Sequence, residues 1–405
     1  MKRRLPLLLA SLIGGATLLS SCSTGETSGS AALDLKGGVP VGAVLALSGN
    51  ANVYGQDQRV GLNLALAMLN GSGGINGTPL RLAIEDSGSD DPGANAAMTL
   101  QINRGMLAII GPTLSQQAFA ADPIAQRRGV PVVAPSNTAA GIPESGHFIS
   151  RVSAPSGVIA PLSIAKALQL QPGIKRAAVF FAQDDAYSTS ETAVFQKALV
   201  DKGLKPVTVQ RTNLADTDFQ SQISATLALK PDLIVLSLQG VDGGNLVRQL
   251  RELGYKGTIV VGNGMNTPNI YPICQKYCDG ILIAQAYSPE LATPVNKAFV
   301  AAFSRAQAAG GKGPLIPPQL TAQAYTALQV VGEALKRLDK RQPLKGLSVA
   351  EARKALMTEI LGGTYQTPLG EIRFTPQGEV VQKDFFVAQV RMNPNGRSGR
   401  FALLP

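Results

Sequence analysis

Residues 107–142 read LAIIGPTLSQQAFAADPIAQRRGVPVVAPSNTAAGI. Two apolar runs, 107–110 and 130–134, each break at a Gly/Pro turn, and the segment between them, 115–128, has the length and spacing of an amphipathic helix. This pattern predicts a βαβ unit with hydroxyls and amides beyond both strands: Thr113 and Ser115 after the first, Ser136, Asn137 and Thr138 after the second. Open parallel sheets bind ligands just outside such strand ends. Neither loop carries a charge, so the crevice expected there holds its ligand by hydrogen bonds.

The alternation continues on both sides of this unit. Upstream, 39–47 is an apolar run typical of a buried parallel strand, 60–69 has helical spacing, 80–85 alternates as a strand, and 91–104 reads as a helix opened by Asp and Pro. Downstream, strands are expected at 177–181, 205–210, 233–238, 258–261 and 280–286, with helices at 189–202, 219–229 and 244–253. The Pro/Gly/Ser-rich stretch 153–161 separates the two series, which predicts an α/β protein of two doubly wound lobes. Helices at 294–309, 318–338 and 348–356 need a sheet face to cover, and the first lobe lacks enough helices of its own. The chain is therefore expected to return to lobe one near Tyr287 and to cross back near Gly363, a hinge of three crossings. Lobe one then comprises 39–153 plus 288–362, and lobe two 154–287 plus 363–405.

At 405 residues and 45% hydrophobic content the chain can bury two sizeable cores. The net charge is +10, but the basic residues are scattered with little aromatic interleaving, which argues against a nucleic-acid partner. Lys2, Arg3 and Arg4 precede a short apolar run, 5–19, too short to be a good membrane span. It ends Leu19-Ser20-Ser21-Cys22, which resembles the bacterial lipobox. In that motif the cysteine is diacylated and becomes the mature N-terminus. The expectation is a signal segment at 1–22, lipidation of Cys22, a flexible tether at 23–38, and an exported protein held on the periplasmic or extracellular face of a membrane. Cys274 and Cys278 remain, either as a local disulfide or as two free thiols.

The enzymatic readings lack parts. His147 is the only histidine, and no G-x-S-x-G, Walker lysine loop or metal-ligand spacing is present, so no catalytic residue, metal or cofactor is assigned. Asp184-Asp185 and Asp90-Asp91 are adjacent carboxylates whose side chains point apart. The run 71–77, GSGGING, follows a helix and precedes a strand, the reverse of a phosphate loop, and reads as a turn.

The sequences GAVLALSG (42–49), Tyr54-Gly55, NGSGGINGTPLRLAIEDSGS (70–89), AIIGPTLS (108–115) and GVPVVAPSNT (129–138) together resemble the type I periplasmic solute-binding proteins of ABC transporters, in particular the branched-chain amino-acid binders. The resemblance spans about 39–386. It implies two flavodoxin-like lobes closing on a ligand, a permease as partner, and a monomer. Position by position, it implies that Ser115 holds the ligand carboxylate, Ser136 offers a carbonyl to the amine, and Thr138 binds both ends of an α-amino acid. Tyr54 then lies over the ligand, and Tyr187 contacts it from lobe two. Thr113, Asn137, Asp185, Gln239, Asp242, Asn263 and Gly264 are further ligand-binding candidates. One departure matters. Where amino-acid binders of the family place a lobe-two glutamate, this chain reads Val261-Gly262-Asn263-Gly264, and a position usually aromatic falls near Gln239-Gly240. Either Asp184, Asp185 or Asp242 supplies the missing charge, or the ligand is an aromatic or other amine-free carboxylate, a urea or an amide. A sensory receptor on the same fold is the other alternative.

Overall fold

The computed structural model describes residues 33–310 and 316–405. The signal segment, Cys22 and most of the tether lie outside the described residues.

In chain order, β1 (Val39–Leu45), α1 (Asn52–Gly71), β2 (Leu80–Asp86), α2 (Asp91–Asn103), β3 (Ile109–Ile110), α3 (Ser115–Arg127), β4 (Val132–Ala134) and β5 (Ile149–Arg151) build the first unit. Its sheet is parallel throughout, ordered β2-β1-β3-β4-β5. β1 and β3 are buried along their whole length because helices cover both faces of a parallel sheet, which is why they read as unbroken apolar runs. Helix starts follow local chemistry: the Asp90 carboxylate accepts the Gly93 N–H at 2.7 Å, with Pro92 in the first turn of α2.

A second series follows: α4 (Ser156–Leu170), β6 (Ala177–Ala182), α5 (Ala186–Asp201), β7 (Thr208–Thr212), α6 (Gln220–Ala228), β8 (Leu233–Ser237), α7 (Gly240–Glu252), β9 (Thr258–Val261), α8 (Tyr271–Cys274) and β10 (Leu282–Gln285). These strands take the same order, β7-β6-β8-β9-β10. The chain then passes through α9 (Pro294–Gly310), α10 (Gln319–Arg341) and α11 (Val349–Gly362) to β11 (Thr364–Thr367), β12 (Gly370–Phe374) and β13 (Val380–Val381). It ends in β14 (Phe386–Met392), antiparallel to β10, and β15 (Gly399–Leu403), antiparallel to β14, which extend the second sheet. The fold is α/β with two doubly wound sheets, each carrying its switch point between the first and third strands of its series.

α10 packs against α1 at Gly61, where an added Cβ would stand 2.2 Å from the Thr321 carbonyl oxygen, so only glycine lets the two helices meet. Around them Leu62, Leu69, Leu328, Val331 and Leu335 form one core with β1. A separate core, including Phe180, Phe219, Leu236, Leu250 and Ile283, lies in the second unit.

The third crossing differs from the expectation near Gly363. β11, β12 and β13 form a small antiparallel sheet, and Tyr365, Leu369, Ile372, Phe374 and Val380 insert into the first unit's core. The Arg151 N–H donates to the Gly378 carbonyl at 3.1 Å, and the buried Arg151 guanidinium pairs with Glu379. The chain therefore leaves the first unit only after β13, and residues 380–392 hold two strands, β13 and β14, in different sheets. The Pro/Gly/Ser-rich stretch 153–161, which separates the two series in sequence, mostly forms the start of α4. There Pro161 sits inside the helix, an exception to the usual breaking rule.

Cys274 and Cys278 are joined as a local disulfide, both buried, with Cα atoms 5.4 Å apart. Among the described residues no helix is long and apolar enough to cross a membrane, and no three His, Cys, Asp or Glu side chains group to hold a metal ion.

Candidate ligand-binding cleft

Between the two sheets the ends of β1, β3, β4, β6, β8 and β9 face one another across a cavity of about 30 Å³. Tyr54, Thr113, Leu114, Ser115, Ser136, Thr138 and Leu320 line it from the first unit, and Tyr187, Gln239, Asn263 and Gly264 from the second. None of these side chains carries a charge. That volume is far below the range of metabolite pockets, so the lobes of this closed form must part to admit a ligand.

The wall of the first unit is built on the β3 and β4 loops. The Thr113 hydroxyl donates to Gln58 Oε1 at 2.6 Å and accepts the Ala46 N–H at 3.0 Å. Gln58 Nε2 in turn donates to the Ser136 hydroxyl at 2.7 Å, and Ser136 donates to the Thr113 carbonyl at 2.6 Å. Asn137 ties the same loops, its amide donating to the carbonyls of Pro112 and Thr113 at 3.1 Å each. These side chains are consumed in holding two loops together.

Ser115 and Thr138 differ. The Ser115 hydroxyl accepts the N–H groups of Thr138 and Ala139 at 3.2 and 3.3 Å, which leaves its own hydrogen to donate. Thr138 is 2% exposed, and its Oγ1 has no hydrogen-bond partner in a wall of the cavity. Ser115 is also the first residue of α3, so the first-turn N–H groups lack intrahelical acceptors and the helix dipole is positive there. Two free hydroxyls beside a helix N-terminus suit a carboxylate, without the desolvation cost of a buried lysine or arginine.

The opposite wall rests on a buried acid. Glu191 sits one turn beyond Tyr187 on α5, and its carboxylate accepts from the Tyr187 hydroxyl at 2.5 Å, the Ser237 hydroxyl at 3.0 Å and the Asn263 N–H at 3.1 Å. Burial raises its pKa from 4.5 to about 7, against the lowering effect of these hydrogen bonds. The Tyr187 hydroxyl also accepts the Gly264 N–H at 2.6 Å, so both of its hydrogen-bonding directions are spoken for.

The units touch across the cavity. The Tyr54 hydroxyl, on α1, donates to the Gly264 carbonyl at 2.6 Å and accepts the Gly240 N–H at 2.5 Å. Burial raises the Tyr54 pKa far above its usual value, so the phenol stays protonated. Gln319 Nε2 reaches Asn263 Oδ1 at 2.9 Å, and the Ser190 hydroxyl accepts the Ala140 N–H at 3.0 Å. Two α/β units are thus closed on a small uncharged cavity at their paired strand ends.

The family model for a periplasmic binding protein matches residues 38–397. The chain belongs to the periplasmic binding protein family. Its relatives include the leucine-, isoleucine-, valine-, threonine- and alanine-binding protein of Pseudomonas aeruginosa, 26% identical over 84% of this chain and 87% of that protein. The structure of a leucine-binding protein from Thermotoga maritima superposes with a TM-score of 0.78 at 26% identity, covering 90% of this chain and 98% of that one. A solute-binding protein from R. palustris in complex with benzoate has a TM-score of 0.76 at 22% identity, covering 90% and 96%. These are binding proteins, not enzymes, and a periplasmic binding protein is an exported one.

Of the residues singled out in the sequence of this binding protein, the structure brings Tyr54, Thr113, Ser115, Ser136, Thr138, Tyr187, Gln239, Asn263 and Gly264 together around the cavity. Asn137, Asp185 and Asp242 stand behind its walls. Asp185 caps α5 by accepting the Ser188 N–H at 3.2 Å and accepts from Gln239 Nε2 at 3.0 Å. Asp242, in the first turn of α7, is 2% exposed and its Oδ2 has no partner. Burial raises Asp185 to about 6 and Asp242 to about 8. Asp184 is exposed and accepts the Leu214 N–H instead. Sequence reasoning missed Leu114, Leu320, Gln58 and Glu191. The spacing of Tyr187 and Glu191, four apart on one helix, was the available signal for the last. Leu320 comes from a helix more than two hundred residues away, and nothing local marks it.

Proposed function

We propose that the protein is a lipid-anchored receptor that captures a small neutral α-amino acid between its lobes and delivers it to an ABC permease. The observation that carries the carboxylate end is the unpartnered, buried Thr138 Oγ1 beside the donating Ser115 hydroxyl at the α3 N-terminus. The relatives from P. aeruginosa and T. maritima, named for branched-chain and other neutral amino acids, support an amino-acid ligand. Closure supplies affinity by burying the ligand between lobes, and the hinge makes capture reversible. The permease partner, the monomeric state and acylation at Cys22 belong to the same proposal.

A second reading has its own support. No lining side chain is a carboxylate, and a relative of the same fold is in complex with benzoate, so an amine-free carboxylate also suits the cavity.

The test is a thermal-shift screen of the standard amino acids against benzoates and urea, followed by titration calorimetry. With the best ligand, replacing Ser115 and Thr138 together by Ala is expected to weaken binding at least ~100-fold, as two hydrogen bonds to a charged group are lost, while the fold persists at a lower apo melting temperature because the Thr138 and Ala139 N–H groups lose their acceptor. Unchanged affinity refutes the site. Cys22→Ser is expected to release the protein from the membrane fraction, and retention there refutes the anchor.

A further inference from the structure

Every hydrogen-bond acceptor of the second unit's wall except one already receives a hydrogen bond inside the protein. The Tyr187 hydroxyl is held between Glu191 and the Gly264 N–H, the Gly264 carbonyl accepts Tyr54, and Asn263 Oδ1 accepts Gln319. The exception is Gln239. Its Nε2 donates to Asp185 Oδ2 at 3.0 Å, while its Oε1 accepts no hydrogen bond among the described residues. An ionised carboxylate only accepts, so Asp185 fixes which end of the amide faces it and leaves the oxygen as the free end. That oxygen lies 3.0 Å from where a Cβ on Gly264 would stand, in the cavity wall. Asp185 is itself pinned, because it caps α5.

We infer that Gln239 Oε1, oriented by Asp185, is the acceptor for the ligand's α-ammonium, and that this pair takes over recognition of the amine in a cleft lined by no acid. This rests on the receptor reading given above and narrows it to ligands that carry an N–H donor next to the carboxylate. The electrostatics of the cleft have the same sign. Asp57, Asp185 and Asp242 all lie close enough to the Tyr54 hydroxyl to act on it, and among the described residues no lysine, arginine or histidine lines the cavity to oppose them. Asp242, raised to about 8 by burial, holds its proton at neutral pH, whereas Asp185, raised only to about 6, is charged there and stands directly behind Gln239. The cleft thus has two unlike sides: helix amides and free hydroxyls at α3 for the carboxylate, and an amide oxygen backed by the Asp185 carboxylate for the amine. A neutral acceptor in front of a buried acid also keeps a bare carboxylate from occupying the site without leaving Gln239 unpaired. Gln239 is the specificity-determining residue and Asp185 a positioning residue.

The test uses three pairs of probes that differ only in the amine: L-alanine and propanoate, L-leucine and 4-methylpentanoate, L-phenylalanine and 3-phenylpropanoate. Titration calorimetry gives the Kd ratio within the tightest-binding pair. Wild type is expected to prefer the amine-bearing member by about 10- to 100-fold, the range of a hydrogen bond to a charged group. Gln239→Leu is expected to bring that ratio to within about 3-fold while leaving the affinity for the amine-free member unchanged or higher. Asp185→Asn keeps the α5 cap, since asparagine caps as well as aspartate, yet frees the amide to turn, and is expected to give an intermediate ratio. A wild-type ratio near one, or a preference undiminished in Gln239→Leu, overturns the inference and leaves the receptor reading standing. Failure of every probe to bind overturns both.

Discussion

Tyr54→Phe isolates the bond that closes the cleft. The hydroxyl joins α1 of the first unit to Gly264 and Gly240 of the second, one hydrogen bond given and one received. Each such bond nets about 0.5–1.5 kcal/mol. In the open form Gly240 N–H and Gly264 C=O are free to meet water, so the loss falls on closure rather than on folding. Two bonds amount to about 2 kcal/mol, or about 30-fold in the Kd of a ligand held between the lobes. The ring itself remains packed against Ala46, Ala51 and Leu320, so the apo melting temperature is expected to stay within about 2 °C of wild type. Calorimetric titration with the best amino acid measures the first quantity. Small-angle scattering of the ligand-free protein measures the second consequence, a larger mean radius for the variant. A Kd within threefold of wild type and an unchanged radius would refute the argument that this hydroxyl stabilises the closed form.

Further expectations concern the groups behind the walls. Glu191 keeps its proton up to about pH 7 in the folded protein but releases it near 4.5 when unfolded, so the folded state binds more protons across that window and loses stability as pH rises through it. The displacement corresponds to about 3 kcal/mol, and Asp57, Asp185 and Asp242, raised to about 7, 6 and 8 by burial, act with the same sign. Urea unfolding of the apo protein should therefore show greater stability at pH 5 than at pH 8, with a smaller difference in Glu191→Gln; a rise in stability with pH would contradict the reasoning. Gly262→Ala places a Cβ 1.7 Å from Glu191 Oε2 and 2.7 Å from the Tyr187 hydroxyl, and is expected to cost at least ~3 kcal/mol in urea unfolding. Arg151→Met strands the Ala139 carbonyl and leaves Glu379 without its partner, while the Asn137 carbonyl keeps the Ser153 hydroxyl, and a loss of about 3 kcal/mol is expected in the same assay.

The βαβ reading of 107–142 corresponds to β3, α3 and β4, and the alternation on either side foretold two doubly wound sheets. This much is legible because a buried parallel strand must be apolar throughout and a covering helix must be amphipathic, both local properties. Boundaries set by long-range packing were not legible. Residues 186–188 belong to α5 because Asp185 caps it, although the periodic run starts at Thr189. β5 is three residues long and is a strand only because β4 lies beside it. The third crossing was misplaced by about twenty residues for the same reason, since β11 to β13 are ordinary alternating strands and only the contact of Tyr365, Ile372 and Phe374 with α10 and α11 assigns them to the first unit.

The cleft divides the same way. The sequence by itself placed hydroxyls and a helix start at two strand ends, and those are local facts of composition and turn chemistry. It could not say which hydroxyls are free. Ser136 and Thr113 share their loop with Ser115 and Thr138, yet their hydroxyls are spent on Gln58 and on each other's loop, a consequence of α1 lying against both. Nor could it choose among Asp184, Asp185 and Asp242, whose neighbours in space come from α5, α7 and the β7 loop. Hydrogen-bond capacity is a sum over partners distant in sequence, and only the tertiary structure fixes that sum. It leaves Thr138 Oγ1 and Gln239 Oε1 unspent on walls of one cavity that different units supply.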